Sequence, residues 1–94
     1  MLILSLTYIA SLERADAVMA AHVDWVNAGY DKGWFLASGR KVPRTGGLIL
    51  AKGDRAAIEA YLAQDPFVTE AVARYEVMEI ELSRTAEGLD GLAG

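Results

Sequence analysis

His22 is the single histidine of this chain, and imidazole is the side chain whose ordinary pKa suits proton transfer near neutrality. A catalytic imidazole needs a partner to fix its tautomer and orientation. Its helical neighbours three and four residues away are Val18, Met19, Trp25 and Val26, and none is an acid. Asp24 is two residues on and faces elsewhere, because i,i+2 pairs do not meet on a helix. An orienting acid must therefore come from another segment. Asp65 is the best placed, since it closes a second helical stretch and Pro66 restricts the backbone beside it. Together the two would form a general acid–base unit, a device that contributes about 10²–10⁴-fold to a rate. Each also has a plain structural explanation. A histidine commonly packs its ring and wets its edge, and an aspartate before proline commonly bonds its own backbone in a turn.

Other residues could complete a pocket. Ser38 and Gly39 end a predicted strand, where the hydroxyl could donate to a ligand oxygen and the glycine lets a ligand come close. No Gly-x-Ser-x-Gly elbow surrounds Ser38, which argues against a nucleophilic serine. Arg40, Lys41 and Arg44 follow on a loop and could hold a carboxylate, phenolate or enolate. They could equally be solvated charges that keep a sheet edge soluble. Trp25 and Phe67 could line an apolar wall, although aromatic residues at such spacing more often serve as core. Gly46-Gly47 could open room for a ligand or simply make a turn. No phosphate loop, dinucleotide fingerprint or metal-ligand spacing is present. The expectation is a site with no cofactor and no metal.

Composition narrows the class. The 94 residues suit one domain, with 53% hydrophobic and 23% charged residues and no disordered bias. A formal charge of −4 argues against nucleic acid as a partner. Cysteine is absent, which excludes disulfides, thiol nucleophiles and thiolate metal sites. Met1 to Ala10 is apolar but lacks the positive flank of a signal peptide, and Glu13, Arg14 and Asp16 arrive too soon for a membrane span. The chain reads as cytoplasmic and without a membrane partner.

The elements that must position these residues can be traced by period and punctuation. Leu2 to Ile9 fits a strand. Ser11 can cap a helix running to about Lys32, with Leu12, Ala15, Met19, Val23, Val26 and Tyr30 as its apolar stripe. On that stripe His22 falls about 80° from the centre, on the shoulder between core and solvent. Trp34 to Ser38 and Gly47 to Ala51 read as the next two strands, and Asp54 caps a second helix marked by Ile58, Tyr61 and Leu62. Phe67 to Ala73 reads as a short turn or helix, and Tyr75 to Leu82 as the last strand. The expected domain is 1–82, with 83–94 a mobile tail. The order is βαββαβ, an α+β ferredoxin-like arrangement with both helices on one sheet face. The other face would expose apolar side chains, so a homodimer with its sheets packed face to face is expected.

An early-helix histidine, then Phe35-Leu-Ala-Ser-Gly39, Gly46-Gly47-Leu-Ile-Leu and Asp65-Pro-Phe-Val68, resembles the YciI-like (YCII-related) family over about residues 1–82. The resemblance implies a dimeric α/β barrel and a histidine–aspartate dyad, carried over to His22 and Asp65. Many members have proline after the Ser-Gly pair, where this chain has Arg40. Most members have no assigned reaction, and one is similar to a dehydrochlorinase acting on a hydroxylated aromatic ring. The implied function is acid–base chemistry, an elimination or isomerisation, on a small aromatic or oxo-acid molecule of anionic character. The other expectation is a dimer that holds a metabolite or partner without chemistry.

Overall fold

The computed structural model describes residues 1–92; residues 93–94 of the expected tail lie outside them. The elements run β1 (Leu2–Tyr8), α1 (Leu12–Asp31), β2 (Phe35–Arg40), β3 (Gly46–Ala51), α2 (Arg55–Leu62), α3 (Pro66–Thr69) and β4 (Ala73–Glu79), with a 3-10 turn at Asp90–Leu92. The strands form one sheet in the order β2-β3-β1-β4, every neighbouring pair antiparallel. That is the ferredoxin-like α+β arrangement expected from the element order. No helix among the described residues is long and apolar enough to cross a membrane.

Local chemistry sets the helix starts. The Ser11 hydroxyl accepts from the Arg14 amide at 3.2 Å and begins α1, while Asp54 accepts from the Ala57 amide at 2.9 Å and begins α2. Losing such a cap costs a helix about 1 kcal/mol. Asp65 caps α3 and Pro66 takes its first helical position, where a missing amide donor does no harm.

Leu2, Leu4 and Leu6 of β1 point to the helix-covered face and are buried with Ile49, Ala51, Phe35, Ile58, Leu62 and Phe67. On α1 the buried residues are Ala15, Trp25 and Gly29. The stripe predicted through Leu12, Val23 and Tyr30 is therefore misplaced, since all three are exposed. The face turned to the sheet runs through Ala15, Val18, His22, Trp25 and Gly29, so His22 lies in its middle and not on its shoulder. Gly29 explains the shift, because a side chain there would run into the Phe35 ring. Helix and strand approach too closely for anything larger.

Strand bounds differ from expectation where pairing outlasts the apolar run. β2 continues to Arg40 because Gly39 pairs with Leu48 and Arg40 with Gly47. A Cβ on Gly47 would sit 2.9 Å from the Gly39 carbonyl oxygen, so glycine lets this ladder close. β4 begins at Ala73, opposite Tyr8, and stops at Glu79, opposite Leu2. On the helix-free face Leu50, Ile3 and Met78 stand side by side across three strands. Met78 there is 60% exposed and Leu48 37%.

Candidate active site

His22 on α1 and Asp65 at the start of α3 meet. The imidazole Nδ1 lies 2.8 Å from Asp65 Oδ1 and 3.0 Å from Oδ2. Asp65 is wholly buried, whereas the His22 side chain keeps 13% of its surface exposed. Two further donors reach the carboxylate. The Phe67 amide donates to Oδ1 at 2.9 Å, and the Tyr75 hydroxyl donates to Oδ2 at 2.6 Å. A carboxylate can only accept, so Nδ1 facing it carries the hydrogen and Nε2 is left with a lone pair in the neutral ring. Nε2 has no protein partner among the described residues, and it is not a buried unpaired atom. It opens on the cavity that the ring lines.

Stacking fixes the ring plane. Phe67 lies parallel to His22, with centroids 4.0 Å apart and planes 8° apart. Phe67 is held in turn by the edge of Tyr8 at 5.8 Å. Burial pushes the Tyr75 hydroxyl far above the ordinary phenol range, and the nearby Asp65 charge pushes the same way. Tyr75 thus keeps its proton near neutral pH and donates to Asp65.

The cavity has a volume of about 330 Å³ and lies between α1 and the β2–β3 hairpin. Met19, Val23 and Val26 of α1 face Ile49 across it, with Leu6, Tyr8 and Phe67 at the base. Ser38, Gly39 and Arg40 line the hairpin side, and Asn27 and Tyr30 the helix side. The Tyr30 and Ser38 hydroxyls share a hydrogen bond of 2.8 Å. Volume and lining suit a small molecule with an apolar body and a few polar contacts. No lining residue is an acid, and Arg40 is the lining residue that is always charged.

A bulge aims these side chains. Phe35 pairs with Ala51, yet Ala37 pairs with Leu50, so Leu36 is an extra residue in β2. One inserted residue inverts the alternation that follows it. Phe35 and, beyond the bulge, Ser38 and Arg40 thus share the helix-covered face, Ser38 opposite Ile49 and Arg40 opposite Gly47. Without the insertion, Ala37 and Gly39 would face the cavity instead.

The remaining predicted residues lie elsewhere. Arg44 pairs with Asp16 on α1 and stacks over the Tyr8 ring at 5.8 Å, and the cavity lining does not include it. Lys41 reaches Thr7 on the helix-free side of β1 at 3.2 Å. Of the three loop cations, only Arg40 lines the cavity. Trp25 is core: its indole donates to the Tyr61 carbonyl at 3.2 Å, and the Tyr61 hydroxyl donates to the Trp25 carbonyl at 2.6 Å. It lies behind His22, with centroids 6.0 Å apart. Sequence reasoning passed over Tyr75, Tyr8 and Asn27, and it assigned Tyr30 to the core. Alternation on β4 was the available signal for Tyr75, but only the pairing of Tyr75 with Leu6 turns it toward Asp65. Among the described residues no group of three metal-ligating side chains is assembled.

The family model described as the YCII-related domain matches residues 1–81. The chain belongs to this family. No curated protein sequence matches it. A solved structure similar to the YCII-related chain is 5-chloro-2-hydroxyhydroquinone dehydrochlorinase (TftG) from Burkholderia phenoliruptrix, in complex with 2,5-dihydroxybenzoquinone. The two share 17% identity with a TM-score of 0.69, over 85% of this chain and 93% of that one. At that identity the likeness establishes a common fold.

Proposed function

We propose that this member of the YCII-related family is an enzyme that moves a proton on a small planar substrate, with His22 as the acid–base group and Asp65 as its orienting partner. One observation carries the reading: Nδ1 is held by a fully buried carboxylate while the same ring forms part of the wall of a ligand-sized cavity. Nε2 takes a proton from a ligand oxygen or carbon, and the freed electron pair forms a new double bond. In an elimination the leaving group departs with its own pair; in an isomerisation the imidazolium returns the proton at another atom. Neither route needs an external oxidant or reductant. Asp65 stabilises the imidazolium that forms between the steps.

Substrate class follows from the lining. The acid that serves the site lies behind the imidazole, so a ligand meets Arg40 and hydroxyl groups but no carboxylate. That supports a ligand carrying a phenolate, enolate or carboxylate, with Arg40, Ser38 and the Gly39 backbone on its polar side and Phe67 against its flat body. Hydroxylated quinols and quinones are the first class to test, because the similar dehydrochlorinase acts on one and binds another. The apolar row Leu50–Ile3–Met78 supports a homodimer joined through the helix-free faces.

The test is turnover of a panel of hydroxylated and halogenated quinols, followed by loss of ring absorbance and release of halide. Turnover by the wild type that falls at least tenfold in both His22→Ala and Asp65→Asn is expected. Equal turnover in all three proteins overturns the mechanism. Tight binding of a quinol with no consumption favours a metabolite-holding dimer in which His22 is only a polar anchor.

A further inference from the structure

We infer that Tyr75 is a positioning residue for the His22–Asp65 pair: its phenol fixes the orientation of the carboxylate and sets how strongly Asp65 holds the imidazole. The inference rests on the acid–base reading above and extends it to a residue outside the cavity lining.

Three donors converge on two oxygens. Oδ1 accepts from the Phe67 amide and from His22, at 2.9 and 2.8 Å, while Oδ2 accepts the Tyr75 hydroxyl at 2.6 Å with Nδ1 3.0 Å away. The Phe67 amide is backbone at the start of α3 and cannot turn away. It fixes one oxygen and leaves the carboxylate free to swing about that contact. Tyr75 removes this freedom by holding the second oxygen from the opposite side of the structure. It stands on β4, paired directly with Leu6 of β1, so it approaches from the hydrogen-bonded sheet. Its hydroxyl has no other hydrogen-bond partner among the described residues. Asp65 has no surface open to bulk solvent.

The hydroxyl also acts on charge. A short bond from a neutral donor to a carboxylate draws negative charge toward itself. The share of that charge facing Nδ1 is then smaller than a bare carboxylate would present. Removing the donor should concentrate charge on the imidazole and tighten its grip on a proton. Strengthening the donor should do the reverse. The other titratable groups around the pair are Tyr61 on α2, whose hydroxyl is committed to the Trp25 carbonyl, and Tyr8, Tyr30 and Arg40 around the cavity.

The two substitutions are Tyr75→Phe, which deletes only the hydroxyl, and 3-fluorotyrosine at position 75, which keeps it and makes it a stronger donor. The readouts are the pH midpoint of the His22 ring resonances by NMR and the position of the Nδ1–H proton signal, both without substrate. Tyr75→Phe should raise the midpoint by roughly half to one pH unit and move the Nδ1–H signal downfield. The fluorinated protein should lower the midpoint. Opposite displacements are a signature that general loosening of the fold cannot produce. An unmoved midpoint in either folded variant, or movement of both in the same sense, overturns the inference. Should Tyr75→Phe not fold, the fluorinated protein alone decides by the same criterion. These measurements need no turnover, so loss of the acid–base reading in the quinol assay and loss of this inference are separate results.

Discussion

Replacing Asp65 by asparagine removes the negative charge and keeps the shape, and the structure dictates which way the amide must turn. The Phe67 amide points at the Oδ1 position, 2.9 Å away, and can only donate. The asparagine oxygen must therefore occupy that position, which leaves its NH₂ group at the Oδ2 position facing Tyr75. His22 Nδ1 lies nearer Oδ1, at 2.8 Å, so it goes on donating to an oxygen and the ring keeps its hydrogen on Nδ1. In a serine-protease triad the corresponding change inverts the tautomer and costs about 10⁴-fold in rate. Here the tautomer survives and only the charge is lost. Two unit charges about 4 Å apart interact by about 4 kcal/mol at an effective dielectric near 20. The neutral hydrogen bond that remains returns about 1 kcal/mol of that. The net of about 3 kcal/mol is lost from the imidazolium form, so the His22 midpoint should lie lower in Asp65→Asn than in the wild type. The same loss corresponds to roughly a 100-fold fall in any rate limited by forming the imidazolium. The assay is ¹⁵N-detected NMR of the ring nitrogens across pH. Nε2 should remain the unprotonated nitrogen of the neutral ring in both proteins, with the midpoint displaced. A hydrogen found on Nε2 in Asp65→Asn, or a midpoint that does not move, would refute the assignment of the oxygens or the coupling itself.

Tyr75 keeps its proton in the folded state while the unfolded chain ionises it near pH 10, so folding stability is intact below that pH and declines above it. The slope should be about 1.4 kcal/mol per pH unit from Tyr75, with Tyr61 adding in the same sense through its own burial, and urea unfolding at pH 9 to 11.5 that shows no decline contradicts it. Gly29→Ala forces a methyl group into the Phe35 ring and should cost about 1–3 kcal/mol, read as a fall in Tm, with an unchanged Tm counting against the close approach of α1 and β2. Met78→Glu changes a side chain already 60% exposed, so a monomer should tolerate it, whereas a sheet-to-sheet dimer should dissociate in light scattering at micromolar concentration. A wild type that is already monomeric there removes the dimer.

How much of this could be read from the sequence depends on whether a feature is local. The element order was legible because caps and breakers announce themselves: Ser11, Asp54 and Pro66 each act where they stand. The need for an acid from outside α1 was legible by elimination, since no carboxylate lies at helical spacing from His22. The face of α1 was not. That helix carries apolar residues on two sides, because one side meets the core at Trp25 and Gly29 and the other lines a cavity at Val23 and Val26. A periodicity argument that weighs large side chains follows Val23 and Tyr30 along with Ala15, and misses Gly29, which is buried through close approach to Phe35. The three loop cations could not be told apart either, since their directions depend on the bulge at Leu36 and on partners as distant as Asp16 and Thr7.

The site draws its parts from different elements. Its reacting edge is presented by a long helix, its polar lining by a hairpin whose reach depends on one bulge, and its charge by a short turn. None of these alone fixes the carboxylate. What holds them in register is the sheet, through β4 and the hydroxyl of Tyr75. The hairpin can therefore change its ligand contacts without disturbing the His22–Asp65 pair: Ser38-Gly39 and the residue after them, aimed by the bulge in β2, line the cavity but do not touch Asp65. Arg40 stands at that position in this chain. Under the proposed function, the chemistry would fall to His22 and Asp65, and the choice of ligand to the hairpin.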